Sequence, residues 1–468
     1  MFKEGMRVHL VGVGGIGMSG LAQLLKEIGC QVSGSDRDSD KPENLALFDK
    51  LRLWGVTVYP QDGSYVAGGM PEVIVWSSAV EEGNPDFVAA PDAVRMHRAA
   101  ALQAAIQEYA ANGVTIAVAG SSGKTSVTAY TAELLDIVAG GCGCLNGGMV
   151  KRFITAERPG NFHPGSRYWV FEADESDKSL LGLSADYAII LNIGRDHYDE
   201  EELARIFGTF THNIRRGIVV GEGVHKLISE YIPAHLEVVV VADGVNAALP
   251  ESTDIAVTDY RISNGMAEAT VSRGERFNLP QPGVYTALNV VFAAALIEMI
   301  GFDFSKALRA SSELKGVARR FDRIGDIRGA TPVYDDYAHN PQKLEMALKT
   351  AQSLVSGRAF MIWQPHGYGP LGFMRDELGT MLERSLRQKD VFVLMEPFYA
   401  GGTSLFSPHA SEVVDAWHRE GRLLNVTTCK DRDALKDFIL GAVAAEDIVL
   451  VSGARDNSLP EWARGLTV

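Results

Sequence analysis

The chain has 468 residues, 46% hydrophobic and 22% charged, an ordinary globular composition that at about 150 residues per domain points to about three domains. A formal net charge of −15, with no compensating run of Lys or Arg, argues against a nucleic-acid partner, and no apolar stretch reaches the ~18–20 residues of a membrane span. Four cysteines (Cys30, Cys142, Cys144, Cys429) without paired metal spacing argue against structural zinc and for reduced thiols, and the start leads straight into a strand, so the expected location is cytoplasmic.

Three α/β segments follow in chain order, 1–110, 111–317 and 318–468, and their strand–helix alternation predicts mostly parallel, helix-covered sheets. The first opens with a strand at 7–11, then the turn Gly12-Val13-Gly14-Gly15-Ile16-Gly17, then a helix through Met18, Ser19, Leu21, Leu24, Leu25 and Ile28 at 3.6-residue spacing. Further strands are expected at 31–35 and 73–76, and a closing helix at 99–111. The glycine turn fits a dinucleotide fingerprint, with Asp36 ending the next strand at a suitable offset. Its physics is only that glycine lets a pyrophosphate approach backbone N–H groups at a helix start. NAD, a UDP-sugar or a plain tight turn all satisfy it.

The second segment begins with the apolar run 114–119, which delivers Gly120-Ser121-Ser122-Gly123-Lys124-Thr125-Ser126 to a following helix. This reads as a phosphate loop for ATP or GTP. Backbone N–H groups would surround a phosphate, Lys124 would reach the terminal phosphates, and Thr125 would touch a bound Mg²⁺. Val118 stands where the strict pattern has glycine. A glycine- and cysteine-rich loop is expected at 139–148. Near-continuous apolar runs at 168–173 and 187–193 read as buried parallel strands, followed by a weaker strand-and-turn region at 217–281 and a helix at 288–300. The first run ends in Glu172-Ala-Asp174-Glu175-Ser-Asp177, four carboxylates that would repel one another without a cation; a divalent ion or a solvated acidic loop are the two readings. The second leads to Asn192-Ile-Gly-Arg-Asp196-His197, where His197 is either a metal ligand or a polar loop residue.

In the third segment, strands are expected at 332–335, 359–364, 391–395 and 448–451. Asp335-Asp336-Tyr-Ala-His339-Asn340-Pro341 ends one strand and opens a helix; Asp336 could bind a ribose hydroxyl and His339 could face a reacting group, or both could be incidental to an Asn-Pro helix start. Gln364-Pro-His366-Gly-Tyr-Gly repeats the arrangement one strand later.

Taken in order, these motifs resemble the Mur ligase family of ATP-dependent amide ligases, most of all its alanine-adding branch, over essentially the whole chain. The resemblance rests on Gly14-Gly-Ile-Gly-Met-Ser-Gly20, Val32-Ser-Gly-Ser-Asp36, Ser77-Ser78-Ala79, the phosphate loop, the acidic cluster, Asp196-His197, Gly316-Val-Ala-Arg-Arg-Phe321 and the stretch 333–341. It implies a Rossmann-like first domain, a central P-loop ATPase domain and a C-terminal Rossmann-like domain. It also implies that Gly14, Gly15, Ile16, Gly17, Met18 and Ser19 bind the UDP part of a substrate, with Asp36, Ser77 and Ser78 nearby. ATP would lie on Gly120 to Ser126 with Asn289. Thr125, Glu172 and His197 would surround Mg²⁺, and Arg320 and Asp336 would close over the nucleotide. His339 and His366 would line the amine side.

The implied reaction joins L-alanine or another amino acid to the carboxylate of UDP-N-acetylmuramate through an acyl phosphate, for cell-wall precursor synthesis. The partners are then small molecules only, on a monomer or homodimer. A recycling member that attaches a peptide, an NAD(P)-dependent oxidoreductase, and a binding protein that has lost turnover are the alternatives. The chain departs from the family in four places, the first being the phosphate loop, where Ser121-Ser122 replace the usual Thr-His or Thr-Asn pair. Tyr285 and Thr286 replace a His-Asn pair near adenine, Ala338-His339-Asn340 replaces Gly-His-His, and Gly367 and Pro370 replace arginines after His366. Arg375 is the next arginine that could hold a substrate carboxylate in their place.

Overall fold

The computed structural model describes residues 1–174, 179–194, 200–263, 266–399 and 406–467. The chain packs as two units, Met1–Val317 and Ala318–Val468. The first carries two sheets and the second carries one.

The N-terminal sheet contains β1 (Arg7–Val11), β2 (Gln31–Asp36), β3 (Thr57–Pro60), β4 (Val73–Trp76) and β5 (Val94–His97). They run in the order β3-β2-β1-β4-β5, all parallel. The order reverses at β1, so the crevice beyond its carboxyl end is where such a sheet takes a ligand, and the glycine turn lies there. The helix Ile16–Glu27 follows with Met18, Leu21, Ala22, Leu24 and Leu25 buried, the stripe its spacing predicts.

The second sheet contains β6 (Val114–Ala119), β7 (Gly143–Leu145), β8 (Phe162–His163), β9 (Tyr168–Glu172), β10 (Ala185–Ile190), β11 (Ile214–Gly221), β12 (Glu237–Asp243), β13 (Ile255–Ser263), β14 (Met266–Val271) and β15 (Arg276–Asn278). Its order is β15-β14-β13-β12-β11-β10-β6-β9-β7-β8, with β6 between β9 and β10. The parallel centre has Trp169, Val170 and Phe171 of β9 fully buried, as strands covered on both faces require. Two findings correct the sequence reading. The stretch 139–148 is not all loop, because β7 pairs parallel to β9 through it. The weak region 217–281 extends the sheet and ends in an antiparallel β13-β14-β15 meander, so the sheet is parallel only at its centre.

The second unit contains β16 (Asp322–Ile327), β17 (Thr331–Asp336), β18 (Ala359–Gln364), β19 (Val391–Leu394), β20 (Val426–Thr427) and β21 (Ile448–Gly453), in the order β16-β17-β21-β18-β19-β20. Only the β16-β17 pair is antiparallel. The helix Pro341–Leu354 starts where Asn340 accepts a hydrogen bond from the Lys343 amide at 3.0 Å, with Pro341 at the first helical position.

A buried polar knot lies in the first sheet. His9 is fully buried, stacked 3.6 Å from the Tyr65 ring, with Nδ1 2.9 Å from Ser33 Oγ and Nε2 3.6 Å from the buried Asp86 carboxylate. Burial holds this imidazole below its ordinary value despite Asp86. The unfolded chain therefore takes up a proton that the folded chain resists. The resulting stability is present above the unfolded histidine value of about 6.5 and is lost as pH falls below it. Urea unfolding should show stability dropping from pH 7.5 to 5.5, with a shallower drop in His9→Asn. Equal slopes in both proteins would refute the assignment to His9.

Candidate active site

Strand β6 ends at Ala119, and the chain turns through Gly120 (φ 135°) and Gly123 (φ 88°) before the helix Lys124–Ala139. Both glycines are needed, since positive φ strains other residues and a Cβ on Gly120 would lie 3.1 Å from the Asn192 amide nitrogen. Asn192 fastens the loop. Its carbonyl accepts from the Ser121 amide at 3.1 Å, its side-chain oxygen accepts from the Ser122 amide at 2.8 Å, and its amide nitrogen donates to the Ser122 carbonyl at 2.9 Å. Ser121 Oγ accepts from the Gly194 amide at 2.8 Å. The sequence reading placed Ser121 and Ser122 among the phosphate donors. Here their amides are already donated to Asn192, so both anchor the loop, and the first-turn amides from Lys124 onward are what the helix start offers an anion. Lys124 Nζ donates to the Gly120 carbonyl at 2.7 Å, which folds the ammonium back over the loop. Asn289, on the helix Val284–Met299, places Oδ1 3.2 Å from where a Gly123 Cβ would stand. Tyr285 sits on that helix's first turn, against Gly283.

Glu172 ends β9, next to β6, and faces the loop. Its Oε1 accepts from Thr125 Oγ1 at 3.4 Å and its Oε2 accepts from the Gly147 amide at 2.9 Å. A Cβ on Gly147 would fall 2.4 Å from that carboxylate, so only glycine fits there. Thr125 and Glu172 thus present hard oxygens side by side, the donor type that would suit Mg²⁺. Among the described residues there is no group of three His, Cys, Asp or Glu that could hold a metal alone. His197, Glu175 and Asp177 lie outside the described residues.

The glycine turn stands across from this corner. The Gly14 amide donates to Asp36 Oδ2 at 2.9 Å, and Gly15 caps the helix Ile16–Glu27. Ser78 Oγ lies 3.3 Å from His97 Nε2, beyond β4, where Ser77 opens a turn to Val80. Met18 and Ser19, at the end of the stretch expected to bind the UDP part, have buried side chains. Asn161 Nδ2 donates to the Ser19 hydroxyl at 2.9 Å and to the Ile16 carbonyl at 2.7 Å, while Gln23 donates to Asn161 Oδ1 at 3.1 Å. These contacts tie the helix start to the second sheet's edge. Between turn and corner lies a cavity of about 230 Å³ lined by Ile16, Gly17, Arg98, Asn146, Gly147, Glu172 and Asp174, among others. Arg98 is 3.6 Å from Asp174 and packs under Gly17, whose Cβ would clash with its guanidinium at 2.7 Å. Asn146 is fully buried, and among the described residues neither its side-chain amide nitrogen nor its side-chain oxygen has a hydrogen-bond partner.

In the unit Ala318–Val468, Arg319 (φ 63°) and Phe321 (φ 47°) adopt left-handed backbone on either side of Arg320. Asp336 holds that turn, accepting from the Phe321 and Ala338 amides at 2.7 Å each. Burial raises its carboxyl above the ordinary value, against the pull of Arg320. The Arg320 and Arg319 guanidiniums lie 4.9 and 5.2 Å from the Tyr337 ring centroid. Asp335 is buried with Arg319 Nε 3.5 Å away, and burial pushes it up to about 6. His339 Nδ1 lies 3.1 Å from the Tyr337 carbonyl, which makes Nδ1 the donor and leaves Nε2 unprotonated. Burial first, then Lys343, pushes this imidazole down to about 4. His366 meets it edge-on, ring centroids 5.7 Å apart.

Three comparisons decide what assembly this is. Residues 7–110 match the Mur ligase family, catalytic domain; 118–297 match the Mur ligase middle domain; and 319–455 match the Mur ligase, glutamate ligase domain. UDP-N-acetylmuramate–L-alanine ligases of Paracoccus denitrificans and Azorhizobium caulinodans are each 30% identical, over 98% of this chain and 95% and 96% of theirs. The chain belongs to the Mur ligase family. It is an ATP-dependent, ADP-forming acid–amino-acid ligase. In fold it is similar to the UDP-N-acetylmuramate-alanine ligase MurC of Thermotoga maritima (TM-score 0.79, 24% identity, 98% of each chain). A murein peptide ligase of Psychrobacter arcticus also shares the fold (TM-score 0.68, 20% identity, 99% of each chain).

In this Mur ligase Lys124, Thr125, Glu172 and Asn289 lie around the loop, and Arg320, Asp336, His339 and His366 lie along one sheet edge of the second unit. Sequence reading missed Asn146 and Arg98 and gave Asn192 no role. Asn192 had a signal, since it ends the strand beside the loop at the edge where ligands bind. Asn146 and Arg98 had none.

Proposed function

We propose that this Mur ligase joins L-alanine, or another amino acid, to the carboxylate of UDP-N-acetylmuramate, with the reaction centred where the phosphate loop meets the Asn146 cavity. The names of its relatives supply the substrate class. The observation that carries the assignment to this site is Asn146, whose buried and unpartnered amide faces the same cavity as Arg98, Gly17 and Glu172. A buried amide without partners costs stability unless a ligand satisfies it. The cavity suits the acid end of the sugar, while the glycine turn and the Ser77-Ser78 turn lie along the crevice left for the UDP end.

A carboxylate oxygen attacks the γ-phosphorus of ATP and ADP leaves, giving an acyl phosphate. The amine then attacks the carbonyl carbon, and phosphate departs with one of the original carboxylate oxygens. The first-turn amides of the helix Lys124–Ala139 and the Lys124 ammonium orient the phosphates and offset charge as it shifts to the leaving group. Mg²⁺, held by Thr125 and Glu172, would supply further neutralisation of the phosphate oxygens. His339 is neutral at pH 7, and its Nε2 can accept a hydrogen bond from an amine.

ADP release tests the reading. It should require UDP-N-acetylmuramate and an amine together, with L-alanine the best of a panel of amino acids and short peptides. No ADP from any combination, under conditions where the folded protein binds ATP, would overturn it. A preference for a tripeptide would favour the peptide-attaching reading that Gly367 and Pro370 raise. Asn146→Ala should raise KM for the sugar acid about 10- to 100-fold, the worth of a hydrogen bond to a charged group, with KM for ATP unchanged. An unchanged KM for the acid would remove Asn146 from the site.

A further inference from the structure

Asn161 stands just before β8, fully buried, and both polar atoms of its side chain are in use. Its Nδ2 donates to the Ile16 carbonyl at 2.7 Å and to Ser19 Oγ at 2.9 Å, and its Oδ1 accepts from Gln23 Nε2 at 3.1 Å. Its backbone carbonyl accepts from the Asn146 backbone amide at 2.8 Å. One residue therefore holds the helix start after the glycine turn with its side chain, and the residue that follows β7 with its main chain. The docking is close as well as polar, since a Cβ on Gly20 would lie 3.3 Å from Asn161 Nδ2 and 3.4 Å from Leu145 Cγ. Ile16 and Gly17 from the first side, and Leu145, Asn146 and Gly147 from the second, line the cavity of about 230 Å³. Other polar ties join the same two sheets' domains. Lys50 Nζ donates to the Thr155 carbonyl at 2.8 Å on the exposed surface, and Gln103 Nε2 donates to Ser184 Oγ at 2.9 Å. None of those four residues belongs to the turn or lines the cavity.

We propose that Asn161 is a positioning residue for the sugar-acid substrate. It fixes the span from the glycine turn to the corner of Asn146 and Glu172, so that a ligand with a diphosphate at one end and a carboxylate at the other meets both at once. The inference rests on the proposed function, with UDP at the turn and the acid at the cavity, and adds the part that sets their separation. Asparagine suits the task because its amide offers two N–H donors and an acceptor, which here go to Ile16, Ser19 and Gln23. Two anchors on one ligand act together only when their spacing matches it, and a shift of about 1 Å in one of them costs on the order of 10²-fold. A ligand held at one anchor alone is indifferent to that spacing.

The test measures ADP release by the full-length protein with ATP, UDP-N-acetylmuramate and L-alanine, and titrates UDP as an inhibitor competing with the sugar nucleotide. Asn161→Ala should raise KM for UDP-N-acetylmuramate about 10- to 100-fold, while the inhibition constant of UDP and KM for ATP each stay within about twofold. Gln23→Leu keeps both Asn161 donations and frees only its oxygen, so it should show the same split at about three- to tenfold. Thermal unfolding of both variants accompanies the kinetics, and Gln23→Leu decides alone if Asn161→Ala does not fold. The inference is overturned if UDP inhibition weakens in step with KM for the sugar nucleotide, which would mean that the turn itself is deformed. It is equally overturned if KM for the sugar nucleotide stays at the wild-type value. Both results would leave the ligase reading standing. No ADP from wild type with any amine would instead sink the ligase reading, and this inference with it.

Discussion

Replacing Lys124 with alanine should lower the rate of ADP formation by about three orders of magnitude, with the fold intact. The ammonium rests 2.7 Å from the Gly120 carbonyl, folded over the loop. With ATP bound it is the residue placed to follow charge onto the leaving phosphates, and one preorganised donor at a developing charge is worth about 10²–10³ in rate. Loss of a full positive charge beside a triphosphate belongs at or beyond the top of that range, about 4 kcal/mol. Stability should change little, because Asn192 fastens Ser121 and Ser122 independently of the lysine. Single-turnover kinetics with a thermal melt would check both halves. Turnover within tenfold of wild type would mean that the loop does not act on ATP.

Glu172→Gln should cost about 10²–10³ in rate and shift the Mg²⁺ dependence to higher concentration, since it removes charge but keeps volume. Glu172 is held at both oxygens, by Thr125 and by the Gly147 amide, so its geometry is set before any ion arrives. In the variant the side-chain amide cannot accept on both sides, and its NH₂ would meet either the Gly147 amide or Thr125. A Mg²⁺ titration of the initial rate separates metal loss from simple misplacement. A wild-type Mg²⁺ midpoint in the variant would show that Glu172 is not a ligand.

The parts of this site legible in the sequence are those written locally. Val114–Ala119 is an apolar run ending in a glycine turn, and it is a strand over the residues expected. Glu172 and Asp336 could be placed because each ends a hydrophobic run, and strand ends mark the ligand edge of a parallel sheet. Asn146 shows the opposite case. It follows a three-residue strand of glycine, cysteine and leucine whose existence depends on pairing with β9, and no local propensity announces that. Arg98 reads as the first residue of an ordinary helix; its position under Gly17 comes only from packing. Ser19 and Met18 fall on the buried face of the very helix that periodicity predicted.

In the proposed reaction this protein activates a carboxylate by phosphoryl transfer before an amine attacks it. The direct measurement is isotope transfer: UDP-N-acetylmuramate labelled with ¹⁸O in its carboxylate is turned over with ATP and L-alanine, and the released phosphate is examined by mass. An acyl phosphate requires one ¹⁸O to leave in inorganic phosphate alongside unlabelled ADP. Unlabelled phosphate accompanying amide formation, or label appearing in AMP, would contradict the account.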